Sequence, residues 1–364
     1  MNSLPPELVS RIVEYAATCD STYSSYRQRQ KTLASLTLVS CTFHEIVQPI
    51  LPRDLWFRRE GSFSAFCDNT ALSEQVESFI WEHASSPAVA YGPLPFRRLR
   101  QMYLTQIIGG PPEYLSDNQH LTRLAFSNCG FTLRSSNSSF VLPHLEELSL
   151  DNVRISVRFA IGANEREFLT HSHFPSVRAL GIQEAEVMDR ESIGPLEIPS
   201  DFLAQLECVS IDKIKNLPPS QPSFPLPVLF DIDPRYAMHS WGRSSLSPTS
   251  ALSQAYVRIR ITSSTESIPH RREIEAALFL AESIIRDTPD LKQLYLDLYP
   301  RDRRRGYVLD NELEERIKVL EDPRRKKKVE IIWENHGDDM LKSLVSREFW
   351  KVCRREKEKR ESEM

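Results

Sequence analysis

Residues 121–150 read LTRLAFSNCGFTLRSSNSSFVLPHLEELSL and contain one six-residue pattern twice. In the first copy the apolar residues at the first, fourth and sixth positions are Leu121, Leu124 and Phe126, and the second copy begins 24 residues later at Leu145. The fourth and sixth residues point to the same face of a β-strand, because side chains alternate between its two faces. The stretch therefore predicts two short strands that share one buried face.

The same pattern recurs along most of the chain. Further copies begin at Leu99, Val177, Leu206 and Leu291, and the first five starts are separated by 22, 24, 32 and 29 residues. Such periods are typical of repeat proteins, in which each repeat buries its apolar face against its neighbours. About ten strands result when weaker candidates are added at residues 76–81, 228–230, 256–261 and 329–333.

The pattern resembles a degenerate leucine-rich repeat. Only the copy at Leu121 continues with the family's small polar residue and next apolar position, as Cys129 and Phe131, whereas the copy at Leu145 has Val153 at the corresponding place. The resemblance implies an irregular α/β solenoid in which the ladder of buried asparagines found in regular repeats is mostly absent.

Helices are expected between and after the later strands. Residues 270–287 and 312–321 place apolar side chains at helical spacing ahead of a strand. A third amphipathic pattern covers residues 338–355, with one side formed by Leu341, Leu344, Val345, Phe349 and Val352. We expect this helix to cap the open end of the solenoid, because an exposed terminal repeat would be an aggregation edge. A helix that binds a partner is the alternative.

A separate helical pattern occupies residues 4–52. Its first helix begins at Leu4-Pro5-Pro6-Glu7-Leu8, because proline suits the first turn and Glu7 is favourable at the positive end of the helix dipole. One apolar stripe follows at Leu8, Ile12 and Tyr15, widened by Val9 and Val13. A leucine cluster at residues 33–38 comes next, and Ser40 is placed to cap a third helix that carries Phe43. Three short helices in a small bundle are therefore expected.

These residues resemble, in order and spacing, the F-box, which is the adaptor-binding module of Skp–cullin–F-box ubiquitin ligases, and more narrowly the F-boxes of fungal proteins. The resemblance rests on Leu4, Pro5, Glu7, Leu8, Ile12, Leu36, Val39, Ser40, Phe43 and Asp54-Leu55-Trp56. Residues 19–31, CDSTYSSYRQRQK, depart from the family because they are longer and more polar than the usual connection between the first two helices. An ordinary small bundle with the same helix-start and core patterns is the alternative.

We therefore predict an α/β protein of three parts. Residues 1–52 form a helical F-box module, residues 53–335 an irregular leucine-rich-repeat-like α/β solenoid, and residues 336–364 a C-terminal capping helix and charged tail. The resemblance implies that a Skp-family adaptor is bound by Leu4, Pro5, Leu8, Ile12, Leu36, Val39 and Phe43.

Composition assigns no partner. The net charge of −4 gives no overall attraction to nucleic acids or acidic membranes. The six cysteines lack CxxC spacing, which favours a reducing compartment over a disulfide framework or a zinc module. No run of residues approaches the roughly 18 apolar residues that a membrane span requires. We expect a cytoplasmic or nuclear protein that does not enter the membrane.

Motifs for catalysis and cofactor binding are absent from the sequence. No GxGxxG, GxxxxGK[ST], GxSxG or HExxH occurs, and 11 glycines in 364 residues leave little material for phosphate-binding loops. His171 and His173 are separated by one residue, but a polar loop explains them better than a metal site, because no third ligand follows at a recognisable spacing. We predict no catalytic residue, no cofactor and no metal.

Two basic runs, at residues 301–305 and 324–328, remain open to three interpretations. Clusters of this kind serve as nuclear import signals or contact nucleic acids. The third interpretation is a solvated turn between helix and strand, balanced by nearby glutamates. Nucleic-acid binding is the least favoured of the three.

These features predict the substrate-recognition subunit of a Skp–cullin–F-box ligase, itself not an enzyme. The resemblance implies that the adaptor links this chain indirectly to cullin and RING subunits, while the solenoid captures a protein target. Tyr103, Arg123 and Tyr295 flank the buried strand residues and belong to residue types common at interface hot spots, so they are the predicted target-binding residues. A protein-binding scaffold that uses the adaptor alone, or not at all, is the alternative. A catalytic site hidden in residues 216–253 is a third hypothesis, for which no nucleophile and base are visible.

Overall fold

The computed structural model describes the chain in segments that form two units. Unit 1 consists of residues 1–206, 215–218 and 336–344, and unit 2 of residues 207–214, 219–335 and 345–364. The described residues are 4–17, 23–58, 69–82, 96–110, 115, 118–134, 140–158, 168–188, 193–212, 217, 227–232, 256–261, 271–288, 290–297, 311–321, 329–334 and 343–363. Both basic runs lie outside them, as does most of the proline-rich stretch at residues 216–235.

Unit 1 begins with three helices that pack on one another, α1 (Pro6–Ala17), α2 (Tyr23–Leu36) and α3 (Cys41–Val47). Their shared core contains Val9, Val13, Leu33, Phe43 and Val47. The Ser40 hydroxyl accepts a hydrogen bond from the Phe43 backbone N–H (3.3 Å), so Ser40 caps α3 as the sequence predicted.

The second helix is longer than the sequence indicated. Most of the polar segment 19–31, which was expected to connect two helices, lies in α2. The interior side of α2 carries Tyr26, Arg29 and Leu33, of which only Leu33 is aliphatic. The Arg29 Nε donates to the Ala17 carbonyl oxygen (2.6 Å), and its Nη2 to Asp54 Oδ2 (2.8 Å). A hydrophobic pattern could not reveal this helix, because hydrogen bonds and an ion pair hold its buried face.

Two sheets follow in the described part of unit 1. The first contains parallel strands in the order β1 (Asp54–Phe57), β2 (Ser78–Glu82), β3 (Gln101–Thr105), β5 (Arg123–Ser127), β7 (Glu147–Asp151) and β9 (Ala179–Gln183). The second contains parallel strands β4 (Ile108–Gly110), β6 (Gly130–Arg134), β8 (Arg154–Arg158) and β10 (Glu186–Met188), with β11 (Ile193–Pro195) antiparallel to β10. Two short helices are α4 (Thr70–Ser73) and α5 (Ser200–Gln205).

The six-residue patterns form strands as predicted. In the first sheet β3, β5, β7 and β9 each begin two residues after a pattern starts, and the fourth and sixth residues are buried, as in Leu124 and Phe126 or Leu148 and Leu150. The weaker candidate at residues 76–81 also forms a strand, β2. A mixed α/β fold with a large parallel sheet is therefore confirmed, whereas the solenoid stays a prediction.

The second sheet was not predicted, and a repeated corner connects it to the first. Four residues that directly follow β3, β5, β7 and β9 have left-handed backbones, namely Gln106 (φ 59°), Asn128 (54°), Asn152 (48°) and Glu184 (49°). Backbone hydrogen bonds continue across the corner, for example from Asn128 N–H to the Asp151 carbonyl oxygen (2.8 Å). The chain therefore turns at the same place in each repeat and enters the second sheet two residues later.

Unit 2 contains parallel strands in the order β12 (Cys208–Ile211), β13 (Val228–Ile232), β14 (Tyr256–Arg260), β15 (Gln293–Asp297) and β16 (Glu330–Trp333). Its helices are α6 (Arg271–Asp287), α7 (Asn311–Glu321) and α8 (Arg347–Glu363). The first two confirm the helices predicted at residues 270–287 and 312–321. Val257, Leu294 and the apolar side of α6 form one core on one face of these strands.

The last helix differs from its prediction in both start and position. It begins at Arg347, because the Ser346 hydroxyl accepts a hydrogen bond from Phe349 N–H (3.0 Å) and so caps the first turn. Leu344 and Val345 are buried but precede the helix. Phe349 packs against Tyr256 and Tyr295, which point away from the α6 core, so α8 covers the opposite face of the strands. The described contacts therefore place α8 across a strand face, where the sequence had suggested a cap on the open end.

Candidate protein-binding surfaces

The first helix has two apolar sides, and only one of them faces the core. Val9 and Val13 are buried against α2 and α3, whereas Leu4, Leu8 and Ile12 are 52%, 46% and 40% exposed. Leu8 and Ile12 are spaced by four and therefore lie along one side of the helix, and Leu4 and Pro5 are exposed in the two residues that precede it. The outer side of α1 thus presents aliphatic side chains to solvent.

A second exposed apolar group lies in the turn between α2 and α3. Leu38 is 87% and Val39 63% exposed. Their backbone N–H groups donate to the carbonyl oxygens of Ser35 (3.2 Å) and Leu36 (3.1 Å), and the Ser40 cap follows directly. The turn therefore holds two aliphatic side chains outward on a fixed backbone. Soluble proteins usually keep such groups scattered, and a cluster often marks a protein interface.

Two of the predicted adaptor-binding residues lie inside the bundle. Phe43 is buried in the core of the three helices, and Leu36 is half-buried against it. The other five, Leu4, Pro5, Leu8, Ile12 and Val39, are exposed. Leu36 and Phe43 thus support the surface from within. The binding of an adaptor by these residues stays a prediction.

Tyr103, a predicted target-binding residue, packs into a hydrophobic cluster with Tyr23, Tyr26, Trp56 and Ile80. The Tyr23 ring meets the Trp56 ring edge-on, with 5.5 Å between their centroids, and the Tyr26 and Trp56 ring centroids lie 6.0 Å apart. Burial raises the pKa of Tyr26 to about 12 and also raises the pKa of Tyr103. This cluster joins α2 to the first three strands, so Tyr103 serves internal packing.

Arg123, the second predicted target-binding residue, forms an ion pair with the neighbouring strand. Its Nε and Nη2 donate to the two carboxylate oxygens of Glu147 at 2.9 and 3.3 Å. Both side chains are largely buried, and the pairing follows from the register, which sets Arg123 opposite Glu147. A bidentate pair of this kind fixes the guanidinium in one orientation.

Tyr295, the third predicted target-binding residue, is fully buried in unit 2. Its ring meets the Phe349 ring edge-on, with 5.8 Å between the ring centroids, and its hydroxyl donates to Gln293 Oε1 (2.8 Å). Burial raises the pKa of this phenol. Tyr103 and Arg123 lie on adjacent strands of unit 1, whereas Tyr295 belongs to the core of unit 2. The structure thus gives all three side chains intramolecular partners.

Charged side chains hold α8 on unit 2. Glu207 accepts hydrogen bonds from Trp350 Nε1 (3.3 Å), Arg354 Nε (3.4 Å) and Lys357 Nζ (3.2 Å), and Tyr256 donates to Glu356. Beneath the helix, Arg258 forms a fully buried bidentate pair with Asp231 at 2.5 and 2.6 Å. Burial alone would lower the pKa of this guanidinium, but the Asp231 carboxylate outweighs burial and raises it. The face under α8 is therefore rich in internal ion pairs.

The two histidines have protein partners. His171 Nδ1 lies 2.6 Å from Gln205 Oε1, and His173 Nδ1 lies 3.0 Å from the Phe168 carbonyl oxygen while its ring stacks on Phe140. Among the described residues, no group of three or more His, Cys, Asp or Glu side chains is placed to hold a metal ion. Within the same residues, no helix is both long and apolar enough to cross a membrane.

One contact that sequence reasoning missed involves the chain segment just before α8. Ser343 Oγ lies 3.1 Å from Ser149 Oγ, and the Leu344 backbone N–H donates to the same Ser149 oxygen (3.1 Å). Leu344 also rests on Gly181, at which an added Cβ would lie 2.4 Å from Leu344 Cβ. The one signal in the sequence is the small size of Ser149 and Gly181 at positions that directly face each other on β7 and β9.

No model of a known protein family matches the chain, and no curated protein matches its sequence. The functional interpretation therefore rests on the residues and contacts described above.

Proposed function

We propose that this chain is the substrate-recognition subunit of a Skp–cullin–F-box ubiquitin ligase. Its three N-terminal helices would bind the Skp-family adaptor, and its strand-rich remainder would bind the target protein. The chain would perform no chemistry itself. It would raise the concentration of the target near the ubiquitin-conjugating enzyme that the RING subunit recruits.

One observation carries the proposal. Leu4 just before α1, Leu8 and Ile12 on α1, and Leu38 and Val39 in the turn between α2 and α3 are exposed aliphatic side chains, whereas other residues form the core of the bundle. Fully burying a side chain of this size contributes roughly 1.5–3 kcal/mol. The residues that the F-box resemblance assigns to the adaptor include four of these five.

Co-expression with a Skp-family adaptor, followed by size-exclusion chromatography, tests the adaptor half of the proposal. We expect a one-to-one complex with the unaltered chain. The double substitution Leu8→Asp and Ile12→Asp should weaken it at least about tenfold, because two half-exposed aliphatic side chains, each contributing roughly 0.7 kcal/mol or more on burial, are lost. Binding would be measured by calorimetry, with circular dichroism to show that the helices persist.

Val319→Asp is the matched control, because Val319 is an exposed aliphatic residue on α7, outside the N-terminal helices. It should leave adaptor binding unchanged. The proposal would be refuted if the well-folded chain did not bind the adaptor, or if the double variant bound it as tightly as the unaltered chain.

A cullin subunit added to the same mixture separates ligase assembly from the scaffold alternative. Co-elution of chain, adaptor and cullin is expected for a ligase receptor. A chain–adaptor complex that excludes cullin would identify a scaffold that uses the adaptor alone.

A further inference from the structure

The central row of the first sheet in unit 1 changes in side-chain size from one strand to the next. The register aligns Trp56, Ile80, Tyr103, Ala125, Ser149 and Gly181 on neighbouring strands. The large residues at the start of this row pack with Tyr23 and Tyr26 of α2. At the other end, on β7 and β9, the side chains in this row are only the hydroxymethyl group of Ser149 and the hydrogen atom of Gly181. This end leaves room for a peptide backbone to approach the sheet.

A piece of the chain itself fills that room. We name Ser343 and Leu344 the strap. The strap places a backbone N–H and a hydroxyl on Ser149 and an aliphatic side chain on Gly181. Both strap residues are buried, at 6% and 4% exposure. The hydrogen bond from the Leu344 main chain fixes the position of the strap, and the contact of its side chain with Gly181 can select the residue that lies there.

The sheet does not depend on the strap. Strands β5, β7 and β9 pair with one another through a complete parallel register, and the strap adds no strand to it. Removing the strap would leave the hydrogen-bond ladder among β5, β7 and β9 intact and would free the Ser149 hydroxyl and the space above Gly181. Such a contact can be exchanged for an equivalent one from another molecule.

We propose that Ser149 and Gly181 form a binding site for an extended peptide, which the strap occupies in the free chain. The ligand would carry a small hydroxylated residue followed by an aliphatic residue, like the strap. Gly181 selects by space, because any larger side chain there would collide with the aliphatic residue of the peptide. Assigning this peptide to a target protein rests on the proposed receptor function, whereas the site itself does not.

The full-length chain can be tested with a fluorescein-labelled synthetic peptide of residues 340–347, MLKSLVSR. In the unaltered chain the strap competes with the probe at high effective concentration, so binding should be weak. The double substitution Ser343→Glu and Leu344→Glu should expel the strap, because two buried charges without partners are unfavourable. Fluorescence anisotropy should then show binding at least roughly tenfold tighter than to the unaltered chain.

Adding Gly181→Leu to this double variant closes the site and should return the probe to weak binding. A second probe, in which aspartate replaces the leucine that corresponds to Leu344, should bind no variant tightly. Equal binding of the first probe to the unaltered chain and the double variant, or tight binding that survives Gly181→Leu, would overturn the proposal.

Hydrogen exchange on the unaltered chain gives an answer even where the double variant fails to fold. An excess of the unlabelled peptide should speed exchange at the Leu344 amide, which the Ser149 hydroxyl protects, while β7 and β9 keep their protection. An unchanged rate at Leu344 would count against the site. Adaptor binding is measured on the same samples. It tests the proposed function separately from the peptide site, because none of these substitutions lies in α1, α2 or α3.

Discussion

Tyr295 has the size and polarity of an interface residue, but its contacts are internal. Its ring packs on Phe349 and its hydroxyl donates to Gln293. We predict that Tyr295→Ala lowers the free energy of unfolding by about 3–5 kcal/mol, as for other fully buried aromatic residues. Tyr295→Phe, which keeps the ring, should cost only about 1 kcal/mol for the lost hydrogen bond. Urea unfolding followed by circular dichroism measures both, and a neutral Tyr295→Ala would contradict the buried role.

Single residues also show where sequence reasoning reaches its limit. On α1, Leu8 and Ile12 are as apolar as Val9 and Val13, so a hydrophobic pattern describes two sides of the helix without saying which one is covered. The structure decides this, because Leu33, Phe43 and Val47 reach the valine side. The exposed surface could therefore be recognised from the sequence only through its resemblance to a known module.

Among the elements, the corner after each of β3, β5, β7 and β9 carries a backbone cost that can be measured. A left-handed conformation costs a residue with a Cβ roughly 1–2 kcal/mol, and glycine avoids this cost but loses about 0.5–1 kcal/mol of entropy. We predict that Gln106→Gly raises the free energy of unfolding by about 0.5 kcal/mol, since the Gln106 side chain is exposed. Thermal and urea unfolding of the full chain provide the measurement.

Asn128→Gly is the matched comparison at the next corner. The Asn128 side chain donates to Ser127 Oγ (3.1 Å) and accepts from Asn152 Nδ2 (2.7 Å), so glycine would remove two hydrogen bonds as well as the strain. We expect this variant to be no more stable than the unaltered chain. A larger gain for Asn128→Gly than for Gln106→Gly would show that the asparagine contacts contribute nothing.

The strands of the first sheet from β2 onward were predictable, whereas β1 and the strands of the second sheet were not. Leu148 and Leu150 stand out because two large side chains flank one small polar residue. In the second sheet, β6 and β8 carry only one firmly buried residue each in their described parts, Phe131 and Ile155, beside half-buried Thr132 and Ser156. Their positions follow from the corner, and a left-handed asparagine has no distinct pattern in a single sequence.

For the molecule as a whole, the division into two units predicts local responses to substitution. Phe349 anchors α8 on Tyr256 and Tyr295 within unit 2. We predict that Phe349→Ala costs about 3–5 kcal/mol and lowers hydrogen-exchange protection in β14 and β15. Strands β5 and β7 of unit 1 should keep their protection. Mass spectrometry of the exchanged full-length chain makes the comparison, and an equal loss in both units would mean that they open together.

In β3, β5, β7 and β9, the number of residues from the start of the six-residue pattern to the corner is the same. Gln106, Asn128, Asn152 and Glu184 each follow the first residue of their pattern, at positions 99, 121, 145 and 177, by seven residues. The intervals between successive patterns vary, so the repeats differ in length only between one corner and the next strand of the first sheet. One residue inserted between Leu145 and Asn152 would turn the rest of β7 inside out. A loop or reporter domain inserted between Arg158 and Phe168, within the longest of these intervals, would leave the seven residues from each pattern start to its corner unchanged. We therefore expect the fold to accept insertions in this segment.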